Sequence, residues 1–131
     1  MSSALQTIHP WIGYLVSIVV LASAVMAFSR ARDSREFNRR PYALAMVALD
    51  IQVTLGIVQY ALGGYWDARP EIAYLHPVLA VLALAVGHAL LGRAAKVQMA
   101  VDAHRTAGRG LLLALLFVLA SIGVASAPAF L

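Results

Sequence analysis

The chain of 131 residues contains no cysteine and few charged side chains. Without cysteine it has no disulfide, no thiolate metal site and no Cys-x-x-Cys-His sequence for attaching c-type haem. Charged residues make up 12% of the chain, against about 25% in typical soluble domains. A glycine-rich phosphate loop, a Ser-His-Asp set and a His-Glu-x-x-His helix are also lacking. We therefore do not expect thiol, hydrolytic or phosphoryl-transfer chemistry.

What the chain has instead is apolar sequence, which makes up 62% of its residues and gives a mean hydropathy of +0.81. A helix needs about 20 mostly apolar residues to cross a membrane. Four such runs predict helices at about 10–28, 42–62, 77–93 and 110–127. The first run is expected to be retained, because no lysine or arginine precedes it as in a signal peptide. Residues 1–131 are thus predicted to form a single all-α domain, an integral membrane four-helix up-down bundle.

The positive charges predict how this bundle crosses the membrane. Nine of the ten lysines and arginines lie in the first and third connections, and only Arg69 lies in the second. Short loops rich in lysine and arginine stay in the cytoplasm. We therefore expect a multi-pass protein of the bacterial cytoplasmic (inner) membrane with both its N-terminus and its C-terminus outside. Basic residues divided in this way set topology, so we expect no nucleic acid as a partner.

Two histidines are candidate ligands of a haem iron. His9 and His76 stand near the first turns of helices one and three, which run in the same direction, so both lie at one depth near the outer face. Two imidazoles so placed can occupy the two axial positions of haem. Gly13, Ala80 and Ala83 follow on the same faces and leave room for a macrocycle. The alternative is that His-Pro marks a helix start and the small residues allow close packing.

Polar side chains also occur in the inner half of the predicted bundle. Asp50 in helix two and His88 in helix three can meet there as a buried polar pair. Such a pair suits a proton relay, or fixes the tautomer of a ligating histidine, or simply joins two helices by a hydrogen bond. We favour the structural interpretation and treat His88 as a less favoured iron ligand. His104, in the predicted third connection, is expected to be solvated.

Three stretches carry a resemblance to a known group. They are His9, the run LDIQVTLGIVQY in helix two and the run YLHPVLAVLALAVGH in helix three, where Gly87-His88 follows His76-Pro77. Over nearly its whole length the chain resembles small bacterial four-helix membrane proteins labelled cytochrome b or cytochrome b-like. The resemblance implies a transmembrane bundle, haem b and electron transfer.

Some positions fit that group and others depart from it. Those that fit in helix two are Gln52, Gly56 and Tyr60. The group has histidine, an acidic residue and Pro-Trp where this chain has Asp50, Leu75 and Ala127-Pro128. Without histidine at position 50, the resemblance does not support a haem between helices two and three. The pair formed by His9 and His76 is unaffected.

The sequence thus predicts a membrane b-type haem protein, or a small haem-bearing subunit of an electron-transfer complex, rather than a stand-alone enzyme. A second interpretation is a cofactor-free accessory subunit of a respiratory or photosynthetic complex. A third is a proton-coupled carrier that uses Asp50 and His88 and would have to dimerise. The expected partners are the lipid bilayer, other membrane subunits or electron-transfer proteins, and further copies of the chain.

Overall fold

The computed structural model describes residues 2–127, and their regular structure is entirely helical. A 3-10 turn at Tyr65–Asp67 and a π-helical turn at Glu71–Leu75 precede the third long helix. The four long helices are α1 Ser2–Arg32, α2 Arg40–Gly63, α3 His76–Ala94 and α4 Ala100–Ser126. Pro128, a departure from the cytochrome b-like pattern, lies outside the described residues.

Each long helix is long and apolar enough to cross a membrane; for α3 the span includes the π-helical turn. This confirms the predicted all-α, four-helix membrane fold, while the placement of the ends outside stays a prediction. Two helices begin earlier than the apolar runs suggested: α1 at Ser2 and α4 at Ala100. The added residues at the start of each helix include polar side chains, such as Gln6 and Thr7 in α1 and Asp102 and Arg105 in α4. Hydropathy therefore marks where the apolar run starts, not where the backbone becomes helical.

Many small side chains pack around α4 in the core of the bundle. This helix packs on both α1 and α3, whereas α2 packs mainly on α1 and contacts α3 less. Gly110 shows how closely α3 and α4 approach: a Cβ atom built there would lie 2.7 Å from Cβ of Leu90. The inward residues of α3 are Ala83, Gly87, Leu91 and Ala94. Small residues of this kind allow membrane helices to pack closely.

His104 is fully buried, so the prediction of a solvated histidine is wrong. Its Nε2 lies 3.1 Å from the carbonyl oxygens of Arg35 and Glu36, and its Nδ1 lies 2.8 Å from the hydroxyl of Tyr42. Because carbonyl oxygens only accept, Nε2 carries the hydrogen and Nδ1 accepts from the Tyr42 hydroxyl. The reason for the error is that α4 begins at Ala100, which places His104 on a helix and not in a loop.

Candidate functional site

An apolar cavity of about 140 Å³ lies between the four helices, at the end of the bundle where α1 begins. Its lining includes only a few residues with polar side chains: His9, Gln52, Tyr60, His76 and Ser121. Sites of this kind, with apolar walls and a few convergent polar groups, are typical of cofactor binding. The cavity is therefore the candidate functional site.

The imidazole rings of His9 and His76 lie next to each other in this cavity. Their centroids lie 6.3 Å apart, and their planes are 87° from parallel. A bond from an imidazole nitrogen to a first-row metal is about 2 Å long, and the ring centre lies about 1 Å beyond the nitrogen, so two axial imidazoles need about 6 Å between centroids. The structure thus brings together the two histidines that the helix directions predicted to meet. Their spacing suits one metal atom between them.

Hydrogen bonds from α4 fix the tautomer of His76. Its Nδ1 lies 2.9 Å from the backbone carbonyl oxygen of Ser121 and 2.8 Å from the Ser121 hydroxyl. The same hydroxyl lies 3.0 Å from the carbonyl oxygen of His76 and donates to it. Because the Ser121 carbonyl only accepts, Nδ1 must carry the hydrogen, and Nε2 keeps the lone pair that binds a metal. Sequence reasoning missed Ser121, since a lone serine in an apolar run belongs to no motif.

His9 is held from α2. Its ring lies against Gly56, where an added Cβ atom would be 2.8 Å from Cε1 of the imidazole. Gln52 donates from Nε2 to the backbone carbonyl of His9 at 2.8 Å. Within residues 2–127, the buried atoms His9 Nδ1 and Gln52 Oε1 have no hydrogen-bond partner. Unpaired buried polar atoms are unfavourable. A bound polar or metal-bearing group would therefore be stabilised here.

The small residues predicted to face the haem divide between two places. Gly13 and Ala80 line the cavity, as a macrocycle site would require. Ala83 does not: it is fully buried in the hydrophobic core. Ala83 lies one turn, about 4.5 Å, further along α3 than Ala80, beyond Val81, the last residue of α3 that lines the cavity. The structure therefore does not bring Ala83 to the site.

Asp50 and His88 meet as predicted but are not buried. Oδ1 of Asp50 lies 2.7 Å from Nε2 of His88, and the two side chains are 39% and 50% exposed. The prediction of burial is wrong because Gly87 and Leu91 occupy the inward positions of α3. His88, about 100° on from Gly87, then faces outward. The pair therefore lies on the surface between α2 and α3, outside the cavity.

The donor set fits haem better than it fits a metal ion bound by side chains alone. Among residues 2–127, no cluster of three or more His, Cys, Asp or Glu residues could hold a metal. Two neighbouring imidazoles without a third side-chain ligand suit a metal whose other ligands come from a macrocycle. The enclosed volume is smaller than the roughly 300–1,000 Å³ of usual ligand pockets. However, the lining residues Ile57 and Val81 are more than half exposed, so the cavity is open between α2 and α3.

Comparison with known proteins identifies one family. The model of the family described as COX15-CtaA, cytochrome oxidase assembly protein, matches residues 1–88 of the 131. The match includes His9, Asp50, His76 and His88 and ends before α4. Neither the curated proteins nor the solved structures include a significant match. The match agrees with the membrane four-helix part of the resemblance noted in the sequence, but it does not support the cytochrome b label.

Proposed function

We propose that this chain, which belongs to the COX15-CtaA family of cytochrome oxidase assembly proteins, binds a b-type haem between His9 and His76. The observation that carries the proposal is the pair of neighbouring imidazoles, 6.3 Å between centroids, in an apolar cavity. The protein would act in electron transfer, alone or as a small subunit of a membrane complex. On the charge distribution, its site would lie near the outer face of a bacterial inner membrane.

Each residue of the site has a separate role in this proposal. His9 and His76 would hold the haem iron, and haem, when bound, would supply one-electron redox chemistry. Ser121 holds the hydrogen on His76 Nδ1, which makes Nε2 a more basic ligand. Gln52 keeps the first turns of α1 beside α2 and so holds His9 in place.

The walls of the cavity set the electrostatic environment. Val53, Val118 and Ile122 line the space with apolar side chains and would keep water from a bound haem. A dry, apolar environment is one of the means by which a protein tunes a haem potential. Gly13 and Gly56 leave space where larger side chains would push into Gln52 and His9. These two glycines thus let α1 and α2 come close enough to hold Gln52 and His9 beside the cavity.

An absorption spectrum of the detergent-extracted protein from haem-replete cells tests the proposal. We expect the sharp Soret band of six-coordinate haem, which His9→Ala and His76→Ala should remove. His88→Ala is the matched control, because His88 lies outside the cavity, and it should keep the band. The perpendicular rings also predict a strongly anisotropic low-spin ferric EPR signal. A colourless protein that does not respond to added haem would contradict the proposal.

One observation favours a second function. The enclosed volume of about 140 Å³ is small for haem, as expected of a cofactor-free accessory subunit whose helices support a larger membrane complex. In that case the protein would be colourless and would co-purify with a large partner after mild detergent extraction. The His76→Ala variant would then change neither the spectrum nor the association.

A further inference from the structure

The cavity opens on one side of the bundle. Among the described residues that line it, only Ile57 of α2 and Val81 of α3 are exposed, at 57% and 53%. The lining residues of α1 and α4, such as Gly13, Val118 and Ser121, are buried or half-buried. This is also a side on which the helices hold each other weakly, since α2 packs mainly on α1 and contacts α3 less. The way into the cavity therefore lies between α2 and α3.

Two hydrogen bonds join α2 to the span that contains α3, one beyond each end of this opening. Towards the predicted outer face, the hydroxyl of Tyr60 donates to the backbone carbonyl of Ala73 at 3.0 Å. Towards the inner face, Oδ1 of Asp50 lies 2.7 Å from Nε2 of His88, and the hydrogen bond forms whichever of the two atoms carries the hydrogen. In the part of the chain that the structure describes, no other side-chain hydrogen bond connects these two spans. The opening is thus framed at both ends, with Ile57 between them on α2.

The connection between α2 and α3 bridges the outer ends of the helices. The hydroxyl of Tyr65 accepts hydrogen bonds from Nε2 of Gln6 in α1 at 3.0 Å and from Nε2 of Gln59 in α2 at 3.4 Å. Nη2 of Arg69 donates to the carbonyl of Ala127, at the end of α4, at 3.4 Å. Because the connection is bonded to α1, α2 and α4 and leads into α3, it lies across the end of the bundle that holds the cavity. A ligand arriving from the water on this side would have to break these contacts.

The opening itself faces the hydrocarbon of the membrane. Ile57 lies about 9 Å along α2 from Gly63, and Val81 lies about 15 Å along its span from Glu71. A helix of 24 residues is only about 6 Å longer than the hydrocarbon core is thick, so both positions lie within that core. On the inner side the bundle is filled by buried residues such as Met46. The cavity therefore communicates with the bilayer rather than with the water on either side.

We propose that the α2–α3 opening is the entrance through which the ligand of the cavity passes from the bilayer. The ligand is then a molecule that dissolves in lipid, and for the haem of the proposed function, on which this part of the inference rests, delivery is from the membrane. The hydrogen bond between Asp50 and His88 has a role in this entrance. It holds α2 on α3 below the opening and so limits how far Ile57 and Val81 can separate.

Cysteine accessibility tests the entrance without haem, because the chain has no cysteine of its own. Val53→Cys places one thiol in the cavity. In lipid nanodiscs, which leave both membrane faces open to water, N-ethylmaleimide dissolves in the lipid and should modify this thiol in the haem-free protein, whereas a charged maleimide should not. Val20→Cys is the matched control, since Val20 is 1% exposed in the core outside the cavity, and it should react with neither reagent. Thermal unfolding in detergent shows whether both variants are folded.

The rate of haem uptake tests the route. Ile57→Cys that carries a bulky maleimide should take up haem from vesicles several-fold more slowly than the unlabelled variant. The same label attached after loading should leave the Soret band in place, because it blocks the entrance and not the site. Leu119→Cys is the matched control: Leu119 is 48% exposed on α4 and lies about 10 Å from Ser126, a depth similar to that of Ile57. Its label should not change the rate.

The role of the polar pair has a kinetic signature. His88→Ala removes the hydrogen bond below the opening, so haem uptake and haem loss should both become several-fold faster while the affinity stays the same. Asp50→Asn keeps an oxygen that accepts from Nε2 of His88 and should behave like the unchanged protein. Unchanged rates in His88→Ala, or a change in affinity alone, would overturn the role of the pair.

Three outcomes would overturn the entrance from the bilayer. They are modification of Val53→Cys by the charged maleimide, no modification by either reagent in folded protein, and equal slowing of haem uptake by the labels at positions 57 and 119. A colourless protein whose cavity thiol reacts only with N-ethylmaleimide would contradict the proposed haem function and leave the entrance standing. A pigmented protein whose cavity thiol reacts with the charged maleimide would do the reverse.

Discussion

Replacing Ser121 by alanine tests how α4 orients the ligand. The substitution removes the hydroxyl that lies 2.8 Å from His76 Nδ1 and 3.0 Å from the His76 carbonyl, while the backbone carbonyl of Ser121, 2.9 Å from Nδ1, remains. Loss of a partner that orients a metal ligand usually weakens metal affinity by about 10–100-fold. Because one acceptor survives, we expect the lower end, roughly 10-fold or about 1.4 kcal/mol.

Haem titration monitored by the Soret band measures this loss, and redox titration gives a second readout. With a weaker hydrogen bond on Nδ1, His76 is a less basic ligand, so the midpoint potential should rise. Ser17→Ala is the control, because Ser17 is another buried serine and its hydroxyl, within residues 2–127, bonds only to the carbonyl of Gly13 in its own helix. Equal effects of the two substitutions, or an unchanged affinity and potential in Ser121→Ala, would refute the assigned role of Ser121.

Two further predictions concern stability and are measured by denaturant unfolding in detergent. Gly110→Ala forces a Cβ atom against Leu90, and this overpacking should lower the free energy of unfolding by about 1–3 kcal/mol. Gly123→Ala is the control on the same helix: its Cβ atom meets open space, and the higher helix propensity of alanine should raise the free energy of unfolding by up to about 1 kcal/mol. If Gly110→Ala is the more stable variant, the close approach of α3 and α4 is wrong. Tyr42→Phe leaves the buried Nδ1 of His104 without its donor and should cost about 1–3 kcal/mol. His104→Leu should lower the free energy of unfolding by a similar amount, and the double variant should lose less than the sum of the two single losses. Additive losses would contradict the hydrogen bond between Tyr42 and His104.

The helix directions were enough to bring His9 and His76 together from the sequence. An up-down bundle makes α1 and α3 parallel, so two histidines at the starts of the two apolar runs share a depth whatever the packing details. Depth is the coordinate that the sequence specifies well, because it follows from counting residues at 1.5 Å each. The meeting of Asp50 and His88 was predictable for the same reason.

Rotation about the helix axis was not predictable in the same way. The direction in which His88 points depends on whether Gly87 packs on α4. Nearly every residue around Gly87 is apolar, so the sequence has little amphipathic pattern from which the inward face of α3 could be predicted. The contact between Ser121 and His76 was not predictable either, because it depends on the rotation of α4 about its axis, which the close packing at Gly110 sets. His104 was misplaced because charged neighbours such as Asp102 made the start of α4 look like a loop.

The π-helical turn at Glu71–Leu75 has a consequence for how this chain compares with its relatives. A π turn holds one residue more than an α turn. Losing one residue there would restore an α turn and leave His76 facing Ser121, because the register of α3 is set further along the chain. One residue lost between His76 and Gly87 would instead rotate one of them by about 100° off its face. Chains of this family that share the site are therefore expected to align on His76 with a one-residue gap allowed just before it.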